Sequence, residues 1–303
     1  MIFYRKNDEI DRDLWDDCIK KSSCFKPYAY SWYLDIMTPG WQALIDDNYE
    51  SVFPLPVHNR FGINYIATPI FLQQLGIFST SKSETNQSNE FLGSIPDKFK
   101  LIDLCIGNIP DDAPGFKLTE KDNFELDLSL TYEELGHSFT SDCRRNIQIS
   151  EKNKIELTSE ISPEELVDLF ILNTGESLEG IKTHDYARLQ HLMNYCISSA
   201  KGKIIGVRVA GKKLISGVFL IQVPGSVTIL FTANTTESRK LRTGYFVINE
   251  IIKEYASSST RLDFSGSSIP SIASFMKSFG SLNVPYYRLF RNRLPWPVRF
   301  LKQ

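Results

Sequence analysis

Four residues ahead of one amphipathic stretch have the chemistry to hold an anion. In ANTTESRKLRTG the cations Arg239, Lys240 and Arg242 and the small Gly244 lead into YFVINEIIKEYA, where Phe246, Ile248, Ile251, Ile252 and Tyr255 recur at helical spacing. The spacing predicts a helix from Thr243, and the first turn of a helix carries backbone N–H groups with no partner of their own. Such a turn, with the dipole behind it, favours a phosphate by about 0.3 to 2 kcal/mol. A helix start behind a solvated basic loop would have the same sequence, so the neighbouring elements have to decide.

Those neighbours are strands. IIGVRVAG stops at Ala210-Gly211, and the uncharged run from Leu214 to Thr236 is broken by Pro224-Gly225 and punctuated by Gln222, Ser226, Thr228 and Thr232. A hairpin of two buried strands accounts for it better than a membrane span. Both LISGVFLIQ and VTILFT are apolar on both faces, as central strands covered on two sides are. After the helix come a short strand ending in LDFSG and a second helix ending in SFMKSFG.

This order of meander, basic loop, helix, strand, helix and strand resembles the GNAT acetyltransferase superfamily. In that superfamily the loop before the central helix carries Gln or Arg, two residues, Gly, one residue, and Gly or Ala, and its amides cradle the pyrophosphate of coenzyme A. Arg239, Arg242 and Gly244 fall on those places, with arginine where the middle glycine stands. RLDFSGSSIPSIASFMKSFGS is similar to the late segment of the Fem-type peptidyltransferases through Asp263, Phe264, Gly266, Phe275, Lys277, Phe279 and Gly280. Phe275 occupies the place of the tyrosine general acid of simple acetyltransferases, and Met276 that of a lysine in Fem-type enzymes, with Lys277 next to it.

The resemblance implies a mixed α/β fold with two tandem GNAT-like domains, each a mostly antiparallel central sheet flanked by helices. The expected division is 1–135 for a degenerate first domain, 136–290 for the second, and 291–303 for a basic aromatic tail packing back on the first. It implies an acyl-CoA donor held by Arg239, Arg242, Thr243, Gly244 and Thr232, with the thioester carbonyl between strands splayed near Thr232 and Asp263, where a strand amide polarises it. Asp263 is the first candidate base and Glu179 the second; Asp263 also reads as a cap for the helix that follows. In GNAT folds the connection after the first helix overhangs the acceptor, which makes Lys182, His184 and Tyr186 substrate contacts, and Lys277 joins them. Arg144 and Arg145 resemble the basic residues that face the ligand cleft in Fem-like chains, although the pair on its own reads as a solvated face, as charge runs usually are.

Composition bounds the alternatives. The chain has 303 residues, a net charge of -2 and 42% hydrophobic residues, ordinary for a soluble protein of two domains. MIFYRKNDEIDRD is charged from residue 5 and has no apolar signal region, so the expectation is cytoplasmic. The cysteines at 18, 24, 105, 143 and 196 are widely spaced with no C-x-x-C pair, and the four histidines lack ligand spacing, so neither a disulfide framework nor a metal is expected. Cys143 precedes two arginines that favour a thiolate, yet it also reads as a plain buried cysteine. No G-x-G-x-x-G, P-loop or G-x-S-x-G is present.

The first half repeats the order of elements. A helix is expected over Asn7–Ser22, then FKPYAYSWYLDIM, whose Tyr28, Tyr30, Trp32 and Tyr33 either line a cleft or staple a short helix to a sheet. WQALID, YESVFPLPV and INYIAT read as a second meander, followed by FLQQLGIFS, a helix over Phe91–Lys98, the strand KLIDLCIG, and NFELDLS as the strand that finishes the first domain. Polar residues and Pro69 rule out a membrane span over Phe61–Ser81. Gln73-Gln74-Leu75-Gly76 occupies the place of a cofactor loop without any cation, which suggests a first domain that has lost donor binding. The second half opens with two short helices, the second capped by Thr140 or Ser141, then KIELTSE and the helix start Ser162-Pro163-Glu164-Glu165.

Three classes of function follow. The leading one is acyl transfer from acyl-CoA to an amine or hydroxyl. The alternative is a Fem-like transfer of an aminoacyl group from charged transfer RNA to a cell-wall precursor, which asks for a broad basic face that a net charge of -2 does not advertise; without it no nucleic acid partner is expected. The third is a non-catalytic binding protein on an eroded scaffold. The tail VPYYRLFRNRLPWPVRFLKQ, with no acid, suits either a final strand or contact with a membrane surface or an anionic, lipid-linked precursor.

Overall fold

In the computed structural model, residues 1–60, 62–81, 84–107, 113–153, 155–173, 180–209 and 213–296 are described, the side chains of 84–87 excepted. The chain forms two compact units, Met1–Lys121 with Pro285–Gln303, and Asp122–Val284. The division thus falls at Lys121 and Val284, where the sequence suggested 135 and 290. Among the described residues no helix is long and apolar enough to cross a membrane.

The first unit has two sheets in place of the single central one expected. Its strands along the chain are β1 (Ile2–Arg5), β2 (Gln42–Asp46), β3 (Ser51–Leu55), β4 (Val57–Arg60), β5 (Ile63–Ala67), β6 (Phe78–Ser79), β7 (Leu101–Ile106) and β8 (Lys117–Lys121), and the last strand of the chain, β16 (Tyr286–Asn292), joins them. They order as β1-β2-β3-β6 and β4-β5-β7-β16-β8. The run YESVFPLPV is one strand in the sequence reading and two in the structure: Pro56, which has no N–H to give a ladder, separates β3 in one sheet from β4 in the other. Arg288 of β16 grips Asp103 of β7 through Nε at 2.6 Å and an Nη at 2.9 Å. Helix α1 (Arg12–Lys21) starts later than expected because Asp11 caps it, its carboxylate accepting from the N–H groups of Asp13 and Leu14. α2 spans Ser31–Met37 and α3 Glu84–Gly93, ahead of the expected 91–98. Trp15, Tyr28, Tyr33 and Trp41 are fully buried, so most of the aromatic run is core; the Trp15 and Trp41 rings lie 4.7 Å apart.

The second unit is built on one seven-stranded sheet. β9 (Phe124–Asp127) comes first in the chain, then helices α4 (Tyr132–Ser138) and α5 (Ser141–Lys152), β10 (Glu156–Thr158), α6 (Pro163–Asn173) and α7 (Thr183–Ser198). The meander β11 (Gly202–Val209), β12 (Lys213–Val223) and β13 (Ser226–Asn234) leads to α8 (Thr236–Leu241) and α9 (Thr243–Tyr255), then β14 (Arg261–Asp263), α10 (Pro270–Lys277) and β15 (Leu282–Asn283). Their order is β10-β11-β12-β13-β14-β9-β15. NFELDLS therefore belongs to this sheet and not to the first unit, lying between β14 and β15.

Alternation along the strands divides this sheet's faces. Val218, Leu220, Val227, Ile229, Leu262 and the Phe124, Leu126, Leu128 series pack with Val247, Ile248, Ile251 and Ile252 of α9 in one apolar cluster. On the other face a Cβ at Gly217 would meet Leu166 of α6. Ser162 and Thr140 cap α6 and α5 as read from sequence, accepting from Glu165 N–H and Cys143 N–H at 3.1 Å each. Caps of this kind contribute about 1 kcal/mol.

Candidate functional site

The sheet of the second unit opens into a fork. β13 and β14 run parallel and pair Ser226 with Arg261, Val227 with Leu262 and Thr228 with Asp263, and there the pairing ends. β13 continues alone on that side to Asn234, while remaining paired to β12 on the other. Two local features cause the split. Between Leu220 and Phe219 of β12 the register slips, so that Leu230 is an additional residue in β13, a bulge that bends a strand and ends pairing. Across the fork, the Asp263 carboxylate accepts from Ser265 N–H at 2.8 Å, and Ser265 and Gly266 adopt φ of 57° and 47°. The chain is turned off β13 and kept on β9, where Phe264 N–H donates to the Phe124 carbonyl at 2.9 Å. Only glycine fits at 266: a Cβ would stand 2.7 Å from Asn123 Cα.

β13 leads directly to the expected anion site, with two changes. The basic segment is a helix, α8, capped by Thr235, whose hydroxyl accepts from Ser238 N–H at 3.1 Å. The left-handed turn lies at Arg242, with φ 60° and ψ 27°, and Gly244 needs no such freedom. Arginine therefore sits in the conformation that glycine adopts without cost, at the place where the GNAT pattern has its middle glycine. Tyr245 and Phe246 N–H donate to the Arg242 carbonyl at 3.1 and 3.4 Å, which leaves the N–H groups of Thr243 and Gly244 as the outward-facing donors of the first turn. Arg239, Lys240 and Arg242 are exposed and form no ion pair among the described residues. The Thr243 side chain is buried, its hydroxyl donating to the Ser238 carbonyl at 3.4 Å. Thr232 is exposed on the unpaired part of β13.

One contact narrows this site. A Cβ at Gly244 would lie 3.7 Å from Phe275 Cζ, an ordinary carbon contact. A pantetheine arm between α9 and α10 would need about twice that spacing, roughly 7 Å. The Phe275 ring also meets Tyr245 edge-on at 4.8 Å and Phe279 at 5.3 Å. Tyr245 is a residue that the sequence reading passed over: it puts a phenol beside Phe275, on α9 instead of α10. Burial pushes its hydroxyl above the ordinary tyrosine range, so it stays a proton donor.

Asp263 does not stand alone. It is 2% exposed and directly opposite Glu125 of β9 on one side and Thr228 of β13 on the other. Side chains directly across a sheet share a face, so Thr228, Asp263 and Glu125 form one polar row on the face away from α9. Glu125 was not singled out in the sequence because its strand reads there as part of the first domain, although the alternation Phe124, Leu126, Leu128 already put Glu125 and Asp127 on the opposite face.

The remaining sequence candidates are dispersed. Arg144 closes the end of α4, one guanidinium nitrogen donating to the carbonyls of Gly136 and Phe139, and Arg145 pairs with Asp142 at 3.0 Å. Both have local structural partners, in line with the solvated-face reading. Asp185 accepts from Lys182 N–H at 2.8 Å and lies 3.3 Å from His184, so these three form the start of α7. The Tyr186 ring packs on Phe170 at 6.2 Å, and Phe170 on Phe231 of β13 at 4.7 Å, which ties Tyr186 to the strand that forks. Lys277 lies over the Phe124 ring at 5.2 Å. Glu179 lies outside the described residues. Cys143 is fully buried, as the plain buried cysteine reading has it, and burial pushes its thiol up to about 11, outweighing the effect of Arg144.

A forked sheet with a helix start beside the fork, preceded by a first unit that has its own parallel pair around a helix, is the arrangement of the Fem-like, tandem-GNAT fold, and this chain has that fold. FemX superposes with a TM-score of 0.67 at 14% identity, covering 98% of this chain and 99% of that one. L-PGS from Bacillus licheniformis gives 0.55 at 12%, covering 96% and 95%, and the C-terminal domain of a protein assigned as a lysylphosphatidylglycerol synthetase from Agrobacterium fabrum gives 0.58 at 9%, covering 96% and 94%. Identities this low show a shared fold. No known family's sequence pattern matches the chain, and no curated protein matches it in sequence.

Proposed function

We propose that this protein is an acyl-group transferase whose reaction centre is the β13–β14 fork. What carries the reading is the end of pairing at Thr228 and Asp263: a strand edge left open beyond that rung offers amide N–H groups to polarise an acyl carbonyl. The phosphates of the donor's carrier lie on the N–H groups of Thr243 and Gly244, with Arg239, Lys240 and Arg242 around them and Thr232 along the path. Holding acceptor and carbonyl at attacking distance supplies about 7 to 11 kcal/mol of the barrier through orientation. Asp263, fixed by Ser265, takes part as the carboxylate at the fork. The acceptor is an amine or a hydroxyl, a lipid-linked cell-envelope precursor among the options, and contact of the basic C-terminal segment with a membrane surface would bring the protein to it.

Acyl-CoA is the first donor to test. A second donor, charged transfer RNA, is favoured by the Phe275 contact on Gly244, which stands in the way of a pantetheine arm, and by the likeness to FemX. Isothermal titration with acetyl-CoA, longer acyl-CoA and charged transfer RNA separates them, with Phe275→Ala as the second variant. A CoA donor predicts binding that tightens in Phe275→Ala and weakens in Arg239→Ala. An RNA donor predicts binding of charged RNA that Phe275→Ala leaves unchanged. Silence with every donor overturns the transferase reading.

A further inference from the structure

We infer that Arg291 and Arg293, at the end of β16, form a binding site for a phosphate-type oxyanion on the first unit. The site is independent of the transferase reading and of the α9 helix start, which belongs to the second unit. One residue separates the two arginines on extended chain, so their side chains leave on the same side. Arg291 is directly opposite Ile102 of β7 and follows Leu289 in the same alternation, and both of those are fully buried. It therefore stands on the core-facing side of the sheet, where an aliphatic residue would be the ordinary choice. Arg293 prolongs the ladder, its N–H donating to the Lys100 carbonyl at 2.6 Å.

The donors of Arg291 are left over by the fold. On the same strand, Arg288 grips Asp103 with Nε and one Nη, two parallel bonds to one carboxylate. Arg291 has the same fork, yet among the described residues it makes no hydrogen bond and no ion pair, and its Nε is shut away from solvent without a partner. What holds the guanidinium is the ring of Phe116, 4.5 Å from Cζ. Stacking occupies the face of a guanidinium and leaves its N–H edge for an acceptor. A buried donor without an acceptor is destabilising, and leucine would fill the position without that cost.

Arg293 adds a second charge to the same place. A Cβ at Gly115 would lie 3.6 Å from an Arg293 Nη, and Phe116 is the next residue. One tight turn, closed by the Phe116 N–H on the Ala113 carbonyl at 3.0 Å, thus carries both guanidiniums. The carboxylate beside them among the described residues is Asp97, 86% exposed and 3.5 Å from Arg293, a pair that water screens. Burial, and after it the charge of Arg293, hold Arg291 below the usual arginine range, with Asp97 opposing. An anion shared by the two guanidiniums relieves the repulsion and supplies the missing acceptors.

The chemistry of the pair selects that anion. Two guanidiniums donate and cannot accept, so a cation is repelled and a neutral ligand leaves both charges uncompensated. A monocarboxylate satisfies one fork. A phosphate group, with more than one negative charge and several terminal oxygens, accepts from both at once.

Isothermal titration of the full chain with inorganic pyrophosphate, with acetate as the monoanionic control, tests the site. Pyrophosphate should bind and acetate should not. Arg291→Leu should weaken pyrophosphate binding by about tenfold or more, the loss of one charge-assisted fork. The same variant should raise the thermal midpoint measured without ligand, the reverse of what removing a structural arginine does. Arg293→Gln, at an exposed position, should weaken binding about threefold or more and serves if Arg291→Leu fails to fold. Flotation with phosphatidic acid vesicles separates the sources: co-flotation that Arg291→Leu reduces assigns the site to a lipid headgroup, and pyrophosphate binding without co-flotation assigns it to a soluble phosphate. Binding of neither, acetate binding as tightly as pyrophosphate, or equal affinity in wild type, Arg291→Leu and Arg293→Gln overturns the inference. Pyrophosphate binding that is lost in Arg239→Ala and kept in both β16 variants places the anion at α9 alone and overturns it as well.

Discussion

Replacing Arg242 separates a backbone effect from a charge effect at one position. Its φ of 60° and ψ of 27° lie in the left-handed region, where a residue with a Cβ is disfavoured by about 1–2 kcal/mol. Its N–H closes the end of α8 on the Arg239 and Ser238 carbonyls, and its own carbonyl opens α9, so the conformation is held from both sides. Arg242→Gly removes that strain and gives back about 0.5–1 kcal/mol through the freer unfolded chain. Arg242→Ala keeps the strain and loses the same charge. The glycine variant should therefore be the more stable of the two by about 1 kcal/mol, or roughly 2–4 °C in midpoint. Both should lose donor affinity alike, by about two- to fivefold for one exposed charge. Thermal denaturation and donor titration on the three proteins check this. An alanine variant as stable as the glycine one would refute the left-handed assignment, and undiminished affinity in both would refute the anion site.

Gly266→Ala should cost about 3 kcal/mol or more, because a Cβ there meets the backbone at Asn123 Cα and φ is positive; a midpoint lowered by only a degree or two in a thermal scan would contradict it. Cys143, with its thiol pushed up to about 11, should be about a hundredfold slower with iodoacetamide at pH 8 than a free cysteine, so peptide mapping of the labelled native protein should find it intact. Burial raises the Asp16 carboxyl above its ordinary value of 3.8 despite its bonds from Ser31. A raised folded value means that its contribution is fully present below 3.8 and is lost as pH rises through the folded value. Asp16→Asn should therefore gain stability relative to wild type at pH 7 and lose that advantage below 3.8, which urea midpoints across the range would show.

Much of the second unit was legible because its signals are local. The period of Phe246, Ile248, Ile251 and Ile252, the caps at Thr140 and Ser162 and the Pro224-Gly225 turn each act over a few residues, and the structure has the corresponding helices and hairpin. What the sequence hid depends on partners far along the chain. β9 reads as an ordinary alternating strand whichever sheet it joins, and its membership is fixed by pairing with Arg261–Asp263, more than a hundred residues on. With that strand misplaced, Glu125 had no reason to be set beside Asp263. The Arg242 conformation was hidden for another reason: nothing in the residue type announces a left-handed backbone, and only the chain geometry between α8 and α9 imposes it.

The two units each contain a parallel pair around a helical crossover, and the difference between the pairs argues for where the chemistry lies. In the first unit β5 and β7 pair Ile66 with Ile102 and Ala67 with Asp103, and the chain then stays on β7. Thr68 N–H donates to the Asp103 carbonyl at 3.0 Å, the Thr68 hydroxyl accepts from Cys105 N–H at 2.7 Å, and Leu75 bridges to Ile106 between Cys105 and Gly107 at 2.8 Å each. Gln74, 2% exposed, is packed beneath this suture beside Gly107. A carbonyl can be polarised only by an N–H that has no other acceptor. At this rung of the first unit the edge amides are already taken by the chain itself, while in the second unit β13 runs on past Thr228 with that edge open. Closing one fork with local hydrogen bonds makes the first unit scaffold, so the acyl transfer proposed above would belong to the unit that holds the open edge of β13 together with Arg239, Lys240 and Arg242.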